Sequence, residues 1–173
     1  MNVERLKLIW HFADQVRDIM GLKIPISLDD MKRAISNIDG RCIEMNIQTD
    51  AIVVANDKLR KGRFIILYSK ETNSSRILFS IACELGHLFL HLLNDDGTIA
   101  PETEDSRLSL DVNKEFESVE FAGEFLMPAH QFKDACNRMS NENVAEYFNI
   151  SNSSVVARKK SLQMCRYELY SRG

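Results

Sequence analysis

Three residues within about one helical turn carry the chemistry most visible in this sequence. In IACELGHLFLH, residues 81–91, Cys83 and His87 stand at i and i+4, with Glu84 beside Cys83. On a helix, a thiolate and an imidazole at that spacing face the same way and can grip one ion, and zinc accepts both. Glu84 would then flank the ion, placed to take a proton from bound water and pass it to a leaving amine. A third ligand must come from elsewhere. The run EFESVEF, residues 115–121, offers Glu115, Glu117 and Glu120. The same residues have a plainer reading, in which a buried cysteine is a small hydrophobe and a histidine near a glutamate is a hydrogen-bonded pair. Spacing alone leaves both open.

The elements that must position these groups follow from periodicity. Leu6, Ile9, Ala13, Val16 and Met20 recur at helical spacing over residues 4–20, and Gly21 and Pro25 end that helix. A second helix starts at Ser27, with Asp30 in the capping-box position, and buries Met31, Ala34, Ile35 and Ile38. The period then shortens. CIEMNI, AIVVAN and FIILY predict a small, mostly antiparallel three-stranded sheet over residues 41–68. The longest helix follows over about residues 74–93. Ile77, Ile81, Leu85, Leu88 and Leu92 form its apolar stripe, while Ser80, Cys83, Glu84, His87 and His91 lie on another arc. Gly86 costs this helix about 1 kcal/mol relative to alanine, which a closely approaching backbone would explain. An acidic, turn-rich loop spans 94–111. A helix from about Asn113 to Phe125 stops before Pro128, AHQFKDACNRM is a short helix, and two more close the chain. The expected fold class is α+β, a single domain over residues 1–173, its small sheet packed on the central helix. Residues 1–24 are its N-terminal helix and 130–173 its C-terminal helices.

Bulk properties narrow the function classes. The formal net charge is -3, from 22 basic and 25 acidic residues, so no global positive field draws the chain to nucleic acid or membrane. The N-terminal stretch carries charges where a signal peptide needs an apolar core, and no apolar run approaches spanning length. The four cysteines, at 42, 83, 136 and 165, match no tight knuckle or redox spacing, so free thiols in the cytoplasm are expected.

A longer pattern surrounds the central helix. CELGHLFLH is followed by a loop and then by E-x-x-x-F-A-x-x-F-L-M-P. This order resembles the ImmA/IrrE-type metallopeptidase family, whose members show HELGHxxLH and a later EAN-x-FA-x-x-LLMP-like segment. Upstream, FIILYSKETNSSRILFSIA resembles the family's strand and its entry to the active-site helix. Downstream, VAEYFNISNSSVVARKKSL resembles its closing helices. The resemblance covers roughly residues 25 to 165.

That resemblance implies a zincin-like metallopeptidase domain in which Cys83 stands at the first histidine ligand, Glu84 at the catalytic glutamate and His87 at the second histidine. Counting back from FLMP places Glu117 at the third ligand, with Glu115 two residues away as the alternative. Ser118 and Val119 replace the usual Ala-Asn. His91 matches a trailing histidine that is not a ligand. Cys83 changes the chemistry: two histidines and a carboxylate leave zinc at about +1, whereas a thiolate, a histidine and a carboxylate leave it near zero. Such a zinc is a weaker Lewis acid, and its thiolate is open to oxidation. Cys83 is thus the position at which metal would be lost.

Three functions follow as expectations. The first is a zinc endopeptidase that cleaves or inactivates a helix-turn-helix repressor or similar regulator. The second is a catalytically inactive relative that binds such a regulator. The third is a DNA-binding regulator using Arg158, Lys159, Lys160, Arg166 and Arg172, with Asn152, Ser153 and Ser154 at a helix start. The acidic net charge and the interleaved Val155, Val156, Leu162 and Tyr167 weigh against the third.

Overall fold

The computed structural model describes residues 3–54, 64–94, 98–99 and 111–170, with side chains through residue 163. Seven α-helices and three strands are found there: α1 (Val3–Ile19), α2 (Leu28–Asn37), β1 (Gly40–Met45), β2 (Ala51–Val54), β3 (Phe64–Ser69), α3 (Ser74–His87), α4 (Val112–Leu126), α5 (Ala129–Arg138), α6 (Asn141–Tyr147) and α7 (Asn152–Tyr170). Most of the acidic loop expected over 94–111, together with Arg172, lies outside the described residues, as do the side chains of Cys165 and Arg166. Local signals set the helix starts. Ser27 and Asp30 form the reciprocal capping box of α2. The Asn73 side chain accepts from the Arg76 N–H to cap α3, and Asp111 does the same for Asn113 and Lys114 at α4.

The sheet departs from the expected mostly antiparallel arrangement. Its order is β1-β3-β2, with β3 antiparallel to β2 but parallel to β1. The short link between β1 and β2 invites a hairpin, yet β3 inserts between them. Burial explains the choice. In FIILYS, Phe64, Ile66, Tyr68 and Ser69 are buried and the remaining two half-buried, whereas β1 is mostly exposed beyond Gly40. The strand with most apolar surface takes the centre.

The expected long helix continues past His87 into one wide π-helical turn, Leu88–Leu92, which ends with Leu93 N–H bonding the Leu88 carbonyl. Of the expected stripe, Ile77, Ile81, Leu85 and Leu88 are buried, while Leu92, on the wide turn, is half-buried. α3 packs lengthwise on α4, and α1 packs on α4 as well. Phe121 of α4 is fully buried among the rings of Phe12, Phe89 and Phe125, with centroids 6.2, 6.5 and 5.6 Å away.

Gly86 sits where α3 and α4 touch. A β-carbon there would lie 3.0 Å from Ser118 Cα, 3.1 Å from its carbonyl oxygen and 3.2 Å from Phe121 Cδ1. Two of those atoms are backbone and cannot rotate away. Gly86→Ala should therefore destabilise the fold by about 1–3 kcal/mol from overpacking, outweighing the roughly 1 kcal/mol of helix propensity gained. Urea denaturation of parent and variant checks this, and a stabilised variant would show that the helices can separate at no cost.

Candidate functional site

The side chains singled out from the sequence gather where α3, its π-helical extension and the start of α4 meet, with edge strand β2 opposite. Cys83 is half-buried against the core, and burial pushes its thiol well above the ordinary range, reinforced by the charges of Glu84 and Glu115. Glu84 reaches toward β2, where its Oε2 accepts the Val53 N–H at 2.7 Å. His87 Nε2 donates toward Glu115 Oε2 at 3.2 Å, and the Glu115 side chain is 56% exposed.

Glu117 is engaged elsewhere. Arg5, from α1, donates Nε to Oε1 at 2.7 Å and Nη2 to Oε2 at 2.6 Å, a two-pronged pairing that pulls the Glu117 carboxyl below its usual range. The Glu117 side chain is only 14% exposed, and its Oε2 lies 3.9 Å from His91 Nε2. His91 donates to the Lys114 carbonyl at 3.3 Å, and burial lowers its pKa. His91 is thereby tied to the first turn of α4.

The acidic residues nominated as third ligands thus part company. Glu115 stands beside His87, Glu117 is neutralised by Arg5, and Glu120 turns away into the protein. Glu120 Oε2 accepts Trp10 Nε1–H at 3.0 Å and the Ser161 hydroxyl at 2.6 Å. Sulfur, imidazole and carboxylate are the right donor types for zinc, but their arrangement is not. Among the described residues, no three His, Cys, Asp or Glu side chains form a metal-holding group. As placed, the residues do not fit a zinc centre.

The basic tail is also reassigned. Arg158 is buried, 2% exposed at its side chain, where it pairs with Glu124 and donates Nε to the Met127 carbonyl at 3.3 Å. Lys159 Nζ donates to Asn141 Oδ1 at 2.5 Å. Arg158 is therefore a core cation and unavailable to a phosphate backbone. Two participants had no signal in the sequence: Arg5, on an amphipathic helix with nothing to mark it, and the backbone N–H of Val53.

The family model of the IrrE N-terminal-like domain matches residues 43–160, well over half of the chain. The chain belongs to the IrrE N-terminal-like family. That family carries the name of a peptidase, and its matched span includes α3, the π-helical turn and α4, but leaves α1 outside. No curated protein matches the sequence. Among solved structures, the fold is similar to that of a Mycobacterium tuberculosis transcriptional regulator, with a TM-score of 0.61 and 14% identity over 85% of this chain. This IrrE-like chain spans 45% of that protein's length. No described helix is long and apolar enough to cross a membrane.

Proposed function

We propose that this IrrE-like domain binds and inactivates a regulatory protein, a helix-turn-helix repressor or one similar to it, without depending on bond cleavage. One observation carries the reading: two of the groups hydrolysis would use already hold partners within the protein. Glu84 accepts a backbone N–H of β2 through one oxygen, and both oxygens of Glu117 are taken by Arg5. A general base must offer its oxygen to the proton it abstracts. Membership of the IrrE N-terminal-like family supports a regulatory role, as does a fold shared with a chain named as a transcriptional regulator.

A second reading, metal-dependent cleavage of the same partner, is favoured by the 3.2 Å approach of Glu115 to His87 one turn from Cys83. A single experiment separates the two. The purified chain is mixed with a candidate helix-turn-helix regulator, with zinc or with chelator. Complex formation is followed by calorimetry, and fragments by electrophoresis. Binding unchanged by chelator and by Glu84→Gln, with the regulator intact, is the expected result. Fragments that disappear with either treatment would establish cleavage instead.

A further inference from the structure

We propose that Arg5 keeps Glu117 from metal: its guanidinium holds both carboxylate oxygens and so withholds the third-ligand position. The inference rests on Glu117 occupying that position, and it accounts for a donor set of the right chemistry that does not assemble.

The geometry favours a built-in clasp over a chance surface pair. Both Glu117 oxygens are taken, each by a different nitrogen of one planar fork, at 2.7 and 2.6 Å. Two further contacts fix α1 against α4 in the same register. Trp10 donates to Glu120, and Arg17 Nη1 donates to the Glu124 carbonyl at 3.1 Å. Moving along α1 from 5 to 10 to 17 thus tracks 117, 120 and 124 along α4. Ile9, Ala13 and Val16 are buried on the same helix, so Arg5 is delivered by a packed element and not by a loose tail. The Glu117 carboxylate already has a cationic partner in Arg5, with which a metal ion would have to compete. Guanidinium does not lose its proton in proteins, so the clasp holds across the whole neutral range. It also lies outside the family-matched residues 43–160.

Metal affinity of the full chain tests this without any partner protein, so its outcome is separable from the partner-binding reading. Cobalt(II) titration followed by absorbance reports tetrahedral coordination and thiolate-to-metal charge transfer from Cys83, and calorimetry with zinc gives the affinity. Arg5→Gln should bind one metal per chain at least about tenfold more tightly than the parent, because a two-pronged charge-assisted pair no longer competes. Arg5→Lys, which keeps the charge but loses the fork, should fall between. Adding Glu117→Gln to Arg5→Gln should abolish the gain. Circular dichroism checks that each variant is folded; Arg5 is 45% exposed, so the substitution leaves no cavity. Equal affinity in parent and Arg5→Gln, binding by neither, or a gain that survives Glu117→Gln would each overturn the proposal. A merely structural Arg5 would lower the melting temperature and leave metal affinity where it was.

Discussion

Arg158→Ala is expected to cost the fold about 3–5 kcal/mol, the usual penalty for removing one partner of a buried ion pair. The guanidinium is 2% exposed, pairs with Glu124, lies 3.8 Å from Glu120 Oε2 and stacks 4.7 Å from the Trp10 ring centroid. It therefore joins α1, α4 and α7. Its removal leaves two buried carboxylates without their cation. Glu124 already has a raised pKa, because burial outweighs the pull of Arg158. A carboxyl raised in the folded state favours folding while protonated, and that advantage is lost as pH rises through the folded-state value. Losing Arg158 raises Glu124 further, so the deficit should be largest at neutral pH. It should shrink as pH falls toward the ordinary glutamate range. Urea denaturation at several pH values gives both quantities, and Glu124→Gln in the same background should recover part of the loss. A variant within about 1 kcal/mol of the parent at neutral pH would mean the pair is hydrated, as exposed ion pairs are.

Phe121→Ala should be of similar size, about 3–5 kcal/mol, the range for deleting a fully buried aromatic ring. The ring sits among Phe12, Phe89 and Phe125 and lies beneath Gly86, so it links α1, the π-helical turn and α4. Aromatic contacts add about 0.5–1.5 kcal/mol beyond area burial. The loss should also loosen the spacing between His87 and Glu115, because both helices rest on this ring. Denaturation gives the stability. An NMR shift of the His87 ring protons, absent in a control such as Phe132→Ala, whose ring packs against Phe148, gives the local effect. An unchanged His87 environment would show that the site is positioned by α3 alone.

Helix positions were legible because their signals are local: apolar spacing, the Ser27–Asp30 box, and Pro128 after α4. Gly86 was legible too, since a glycine in a long helix calls for a near neighbour, and Ser118 supplies one. The parallel pairing of β1 with β3 was not. Alternation marks a strand without naming its neighbour, and which strand becomes central depends on the faces that α2 and α3 cover. The site divided along the same line. Cys83, Glu84 and His87 declare themselves by spacing on one helix. Arg5 and Arg158 do not, because each is defined by a carboxylate more than thirty residues away in sequence. A helical wheel sees Arg158 as part of a basic face. Only the approach of Glu124 makes the interior hospitable to it.

The contact between Glu84 and Val53 sets up an exclusion. β2 is an edge strand, and the Val53 N–H carries one hydrogen for one acceptor. An extended segment laid against that edge would ask for the same hydrogen that the carboxylate now holds. The two occupancies are alternatives. Seating a backbone carbonyl at Val53 displaces Glu84 Oε2 from that N–H, and whatever tightens the grip of Glu84 on Val53 weakens the seat for an incoming chain. The edge and the carboxylate are therefore thermodynamically antagonistic, each regulating access to the other through a single shared proton donor.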